Sequence, residues 1–236
     1  MQIKKPYLSP FSPIFIVEYN LHRQISKAVE KVIKSDRTGE RWLDYGCGNR
    51  PYEYLFSGKA EYIGIDVEVS GRDKTLKLAD YYYDGQKIPE KDCSFDGILT
   101  TQVLEHVVDP ETYLMEAFRV LKPGGHLILS APFVYQEHEQ PYDFYRFSSF
   151  QIIKMLTKVG FEVSECKKTT GGLEAIAQLL SVWCISNLRP PIRGGTRLVS
   201  LLLCFPIQIL GIFLQKIFTD SRELFLDVVV IAKKIA

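Results

Sequence analysis

The stretch Leu43-Asp44-Tyr45-Gly46-Cys47-Gly48 constrains this chain more than any other. Arg41 to Tyr45 reads as a short buried strand, and it runs straight into two glycines separated by one residue. Neither glycine presents a Cβ, so the backbone can turn sharply there and approach a ligand closely. A strand ending in such a corner is a ligand-binding element of open α/β sheets. Asp66, twenty residues beyond Gly46, ends a second predicted strand, Tyr62 to Ile65. A carboxylate at that position can accept both hydroxyl protons of a ribose.

The rest of the chain alternates strands with helices, which predicts a mostly parallel sheet covered on both faces. Ser12 and Pro13 open a helix whose apolar residues recur at helical spacing as far as Val32, and Gly39 stops it. A third strand is expected near Leu76 to Ala79 and a fourth at Gly97 to Thr101. Asp109-Pro110 caps a helix through Leu121, Lys122-Pro123-Gly124-Gly125 ends it, and His126 to Ser130 is strand five. Ser148 or Ser149 starts another helix, which ends at Gly160, and Phe161 to Cys166 is strand six. The β-branched run from Leu224 to Ala232 is strand seven.

The glycine pair alone does not identify the ligand. A dinucleotide fingerprint asks for a third glycine three places after Gly48, and Pro51 stands there, suited instead to the first turn of a helix. Several further motifs in order, however, carry a resemblance. They are Tyr62-Ile63-Gly64-Ile65-Asp66, Ser94-Phe95-Asp96, Val103-Leu104-Glu105-His106 and Arg119-Val120-Leu121-Lys122-Pro123-Gly124-Gly125. With the glycine corner they resemble the type 11 family of class I S-adenosylmethionine-dependent methyltransferases, over residues 41 to 168 and the final strand.

The resemblance implies a Rossmann-like, seven-stranded sheet with an antiparallel last strand and S-adenosylmethionine across the carboxyl ends of the first strands. By it, Asp66 binds the ribose, Asp84 lies near the adenine amino group with Asp80 as its competitor, and Gln102 lies beside the methionine part. Asp44, Gly46 and Gly48 shape the corner, Asp44 by direct contact or by orienting the loop. Arg50 replaces a residue that is commonly small and is expected to reach an acidic group. His106 falls in a stretch that is structural in the family.

Methyl transfer from a sulfonium requires an acceptor atom held in line and water excluded, with no metal. A hydroxyl acceptor also requires a base. The loop from Pro132 to Phe147 is dense in aromatic and ionisable residues and resembles a subgroup associated with bacterial surface-polysaccharide and glycan pathways. Here His138 is the candidate base, with Glu139 or Asp143 as its orienting carboxylate. Tyr142 and Tyr145 are candidates for sugar stacking or hydroxyl binding, and Arg146 for an anion contact. The alternative is that His138, Asp143 and Arg146 simply pin a lid.

Net charge is only +1, from 29 basic and 28 acidic residues, so no basic field marks this chain for nucleic acid. Five scattered cysteines suit a reducing, cytoplasmic setting, and no secretory leader is expected. Four segments are expected: an N-terminal helical part (1–40) packing on the sheet, the donor-binding core (41–170), an apolar helical insert (171–219) and the last strand (220–236). Within the insert, Leu173 to Leu188 and Leu198 to Phe218 are two apolar helices joined by an arginine-bearing turn with Arg189 and Arg193. They suit a peripheral membrane surface, a cover on the sheet or a homodimer contact. The leading expectation is O-methylation of a sugar or glycolipid precursor. Alternatives are a small-molecule or quinone-like lipid acceptor, or a membrane-associated interaction protein with a vestigial donor pocket.

Overall fold

A computed structural model describes residues 8–33, 39–188, 194–219 and 222–235. The helix α1 (Phe15–Val32) precedes β1 (Glu40–Tyr45), β2 (Ala60–Val67), β3 (Tyr81–Tyr83) and β4 (Phe95–Thr101). Then come α2 (Pro110–Val120), β5 (Leu121–Pro132), α3 (Ser149–Val159), β6 (Phe161–Gly171) and α4 (Gly172–Asn187). A long helix, α5 (Gly195–Val199) continued through a π-helical turn into α6 (Phe205–Ile217), leads to β7 (Phe225–Lys234).

The strands form one seven-stranded sheet in the order β3-β2-β1-β4-β5-β7-β6, mostly parallel with an antiparallel last strand. This is the expected Rossmann-like arrangement. The order reverses between β1 and β4, so the carboxyl ends of these neighbours open the crevice in which ligands bind in such sheets. The register sets Tyr45 of β1 opposite Ile65 of β2, which brings the residues after both strands together. Trp42, Leu43, Ile65, Ile98, Leu99 and Ile128 are completely or almost completely buried and form the centre of the core.

Local chemistry sets most element ends. Asp109 accepts from the N–H groups of Glu111 and Thr112, and Ser148 accepts from that of Gln151, as their side chains predict. Three expectations are corrected. Strand three lies at Tyr81–Tyr83; Leu76 instead ends a short 3-10 turn that Asp73 caps through Thr75 N–H. Pro51 opens no α-helix, and only the 3-10 turn Glu53–Leu55 separates β1 from β2. The Lys122 to Gly125 stop lies inside β5, as a bulge between the pairs Phe95–Leu121 and Gly97–His126.

The chain forms two compact units, one of Ile25–Lys167 with Val228–Ala236 and one of Pro6–Gln24 with Lys168–Asp227. Within the second, two buried glutamines clasp the start of α1. Gln178 accepts from Val17 N–H and donates to the Pro13 carbonyl, and Gln208 does the same with Ile16 N–H and the Ser12 carbonyl. Arg189 and Arg193 lie outside the described residues.

Gly97 is a tight point of the central sheet, because a Cβ there would lie 2.4 Å from the Trp42 ring. Gly97→Ala is expected to lower the unfolding free energy by about 1–3 kcal/mol through overpacking, read from a denaturant midpoint. An unchanged midpoint would show that the indole moves aside without cost.

Candidate functional site

The corner after β1 is built by hydrogen bonds onto the end of β2. Gly46 and Cys47 both donate their N–H to the Ile65 carbonyl, and Gly48 N–H donates to Asp66 Oδ2 at 2.9 Å. Gly46 and Gly48 have φ of +81° and +51°, a left-handed conformation that glycine adopts without strain. A Cβ on Gly46 would collide with Val103, and one on Gly48 would lie 2.7 Å from the Arg72 guanidinium.

Asp66 stands where the sequence places it, and two neighbours already hold it. Lys77 Nζ donates to Asp66 Oδ1 at 2.9 Å and to the Val67 carbonyl at 2.6 Å, with the lysine side chain almost wholly buried. Lys77 and Arg72, both on the loop from β2 to β3, therefore bring two cationic heads into the corner. Sequence reasoning did not find either, because nothing local to a lysine or arginine marks such a reach.

Asp44 is 1% exposed, and its Oδ2 accepts from the Tyr62 hydroxyl. Burial pushes its carboxyl up to about 7, against the lowering effects of the Tyr62 bond and the Arg50 charge. Arg50 reaches acidic groups as expected, Asp80 Oδ1 and Glu53 Oε1, each at 2.9 Å. Asp80 also accepts from Gly64 N–H at 2.8 Å, so it braces β2. Asp84, just past β3, accepts from the N–H groups of Gln86 and Lys87 and caps that turn. Gln102 follows β4 at φ +54°, donating its backbone N–H to the Ser130 carbonyl and its side-chain amide to Ser130 Oγ. Left-handed backbone at a non-glycine residue is a strained arrangement that concentrates at functional sites.

The loop after β5 is organised around one carboxylate. Asp143 accepts a bidentate pair from Arg146, 2.6 Å from Nη1 and 2.7 Å from Nη2, and a bond from His138 N–H at 2.9 Å. The Arg146 bonds, with the His138 N–H, hold its carboxyl well below the usual range despite partial burial. His138 Nδ1 lies 3.2 Å from Asp143 Oδ2, while Glu139 pairs with Arg72. Arg146 also donates to the carbonyls of Tyr135, Gln136 and Tyr145. Its five N–H groups are thus all used within the loop, the geometry of the alternative in which it pins a lid. Tyr145 donates its hydroxyl to the Val108 carbonyl and keeps an exposed ring. The Tyr142 carbonyl accepts from His106 Nδ1 at 2.7 Å, and burial lowers the His106 pKa. His106 and His138 meet edge to face with centroids 4.8 Å apart, a pairing the sequence did not reveal.

A cavity of about 400 Å³ lies at the opposite, amino-terminal end of the strands, lined by Glu40, Trp42, Asp96, Lys122 and His126. Lys122 and Asp96 form an ion pair there, and none of the expected site residues reaches it.

The family model described as "Methyltransferase domain" matches residues 17–165. The 27-O-demethylrifamycin SV methyltransferase of Amycolatopsis mediterranei is 31% identical over 39% of this chain and 39% of its own length. The ubiquinone biosynthesis O-methyltransferase of Ruegeria pomeroyi is 30% identical over 46% of this chain and 48% of its own. The matches thus span less than half of these two relatives. In fold, phosphoethanolamine N-methyltransferase 2 of Haemonchus contortus, solved with S-adenosyl-L-methionine, superposes with a TM-score of 0.57 at 19% identity, covering 90% of this chain and 53% of that one.

The raised Asp44 carboxyl has a consequence for stability. Its folded value of about 7 exceeds the unfolded value near 3.9, so the folded state keeps a proton that the unfolded state releases. Stability should therefore fall as pH rises from about 4 to about 7, by roughly a few kcal/mol. Asp44→Asn is expected to narrow the difference in Tm between pH 5 and pH 8, and an unaltered pH slope would show that Asp44 is ionised throughout.

Proposed function

The chain belongs to the methyltransferase domain family, and from that premise we propose that the protein is an S-adenosylmethionine-dependent O-methyltransferase acting on a hydroxyl of a lipid-linked acceptor. Its cofactor is S-adenosylmethionine, which supplies a methyl carbon already activated by the sulfonium. The observation that carries the donor assignment is the pairing of a left-handed glycine corner with a buried carboxylate, Asp66, at the adjoining strand ends. The corner has the shape such a donor needs, because glycine leaves the main chain bare where an adenosyl group must lie close. Asp66 receives the ribose hydroxyls in place of the Lys77 ammonium, and Gln102 and Asp84 flank the methionine and adenine ends.

At the acceptor end, His138 handles the hydroxyl proton, Asp143 orients its ring, and Arg146 fixes Asp143. Tyr142 and the exposed face of Tyr145 bound the acceptor. The lipid assignment rests on the insert. Gly195–Ile217 is a 23-residue helix, long and apolar enough to cross a membrane; its most apolar 18-residue stretch has a mean hydropathy of 2.2, and only 28% of that stretch is buried. Leu202, Leu210 and Phe213 are all more than half exposed. A core helix would bury these residues, and Arg197 and Lys216 near its ends suit anionic headgroups. We place the helix on the cytoplasmic membrane surface, with a sugar-bearing lipid as the first acceptor. The ubiquinone-pathway relative favours a quinone-like lipid as the second.

Calorimetry tests the donor site. Wild-type protein should bind S-adenosylmethionine, Asp66→Asn should weaken binding by at least about tenfold through the lost ribose bonds, and Lys77→Met should tighten it. Absence of wild-type binding would exclude methyl transfer and favour the interaction-protein reading.

Cosedimentation with liposomes tests the membrane assignment. Binding to anionic vesicles should fall on Leu202→Glu with Phe213→Glu, and labelled donor should then methylate a component of a membrane lipid extract, whose mass identifies sugar or quinone. A stable dimer that ignores vesicles would show instead that a second copy covers this face.

A further inference from the structure

Among the described residues, one group of metal-ligating side chains comes together. One ligand atom from each of Glu105, His106 and His138 lies within 4.8 Å of the others. Glu105 sits on the turn after β4, is fully buried, and has a carboxylate oxygen 3.8 Å from His106 Nε2. Both imidazoles are oriented from behind. His106 Nδ1 faces the Tyr142 carbonyl at 2.7 Å, an atom that only accepts, so Nδ1 carries the proton and Nε2 presents its lone pair. His138 Nδ1 faces Asp143 Oδ2 at 3.2 Å and the Gln136 carbonyl at 3.3 Å, which sets the same tautomer. A carbonyl or carboxylate behind Nδ1, with Nε2 turned outward, is the arrangement by which proteins orient histidines toward a metal.

From this geometry we propose that Glu105, His106 and His138 bind a divalent first-row transition ion. Two imidazoles with one carboxylate suit zinc, cobalt, iron or manganese better than magnesium or calcium. Ligand atoms around a tetrahedral ion stand about 3.3 Å apart, so binding draws the three inward by roughly an ångström, within reach of side-chain rotation on the half-buried His138 loop. Three protein ligands leave a position for an acceptor oxygen.

What the ion does there rests on the O-methylation reading; whether it binds does not. An acceptor hydroxyl on the ion releases its proton to solvent water near neutral pH. The oxygen lone pair then forms the O–CH₃ bond as the S–CH₃ bond breaks, and that electron pair returns to sulfur as a neutral thioether. His138 then acts as a ligand and hands the proton step to the ion.

The full chain, stripped with EDTA, is titrated with Zn²⁺ by calorimetry and with Co²⁺ by visible absorption. One saturable site is expected, weakened more than about 100-fold in His138→Ala and in Glu105→Gln, and roughly 10- to 100-fold in Asp143→Asn. Circular dichroism checks the fold of each variant, and His138→Ala stands as an independent arm if Glu105→Gln does not fold. No saturable binding by the wild type, or undiminished binding in folded His138→Ala, overturns the site. Titration of the same samples with S-adenosylmethionine separates the two readings. Donor binding without zinc binding removes the metal site alone, and zinc binding without donor binding supports the site while removing methyl transfer. Methylation that ignores EDTA yet is lost in His138→Ala makes His138 the base itself and overturns the ion's role.

Discussion

The bond from Gly48 N–H to the Asp66 carboxylate is the constraint on which the corner after β1 depends. It exists because β1 and β2 run parallel with Tyr45 opposite Ile65, so the turn after β1 lies beside Asp66, the penultimate residue of β2. Side chains alternate across a sheet, and a slip of one residue would send Asp66 to the opposite face. The register is held by the buried Trp42, Leu43 and Ile65 beneath the corner and by two N–H groups converging on the Ile65 carbonyl. Core packing beneath the corner thus aims the carboxylate above it.

Electrostatics gives that end its second character. Asp44, Asp66 and Asp80 crowd the first two strands, and the compensating charge comes from Arg50 and Lys77, which are remote in sequence from the carboxylates they serve. Arg72 extends the pattern to the loop after β5 through its ion pair with Glu139. Backbone contact reinforces this seam, since a Cβ on Gly71 would lie 1.7 Å from the Glu139 carbonyl oxygen. The loop that fills the donor corner and the loop that carries His138 therefore share a boundary.

What the sequence made legible is what local chemistry decides. The glycine corner, Asp66 at a strand end, the Asp109-Pro110 cap and the Ser148 cap each depend on a few adjacent residues, and each stands where it was read. Strand three was misplaced because Tyr81-Tyr82-Tyr83 lacks an alternating pattern and only pairing with β2 makes it a strand. Arg146 reads from the sequence either as an anion contact or as a lid pin, because no rule of spacing reveals that one loop takes all five of its donors. The contact of His106 with His138 is hidden from the sequence for a similar reason. His138 comes from a different strand connection, and only the ends of β4 and β5 side by side bring the rings together. Long-range electrostatic partners are a property of the fold, and a linear motif cannot announce them.

The insert shows how far one helix can serve two demands. Gln178 and Gln208, almost completely buried, satisfy the first backbone groups of α1. A Cβ on Gly211 would lie 2.4 Å from that of Ala177, so α4 and α6 are packed backbone to backbone on that side. Such fixed polar and small-residue contacts define one face of the long helix, while leucine and phenylalanine populate the other. The chain cannot cross a bilayer once and still complete the sheet, because β6 before the insert and β7 after it are neighbours. The long helix is thus fixed on one side through Gln208 and Gly211 and leaves Leu202, Leu210 and Phe213 exposed.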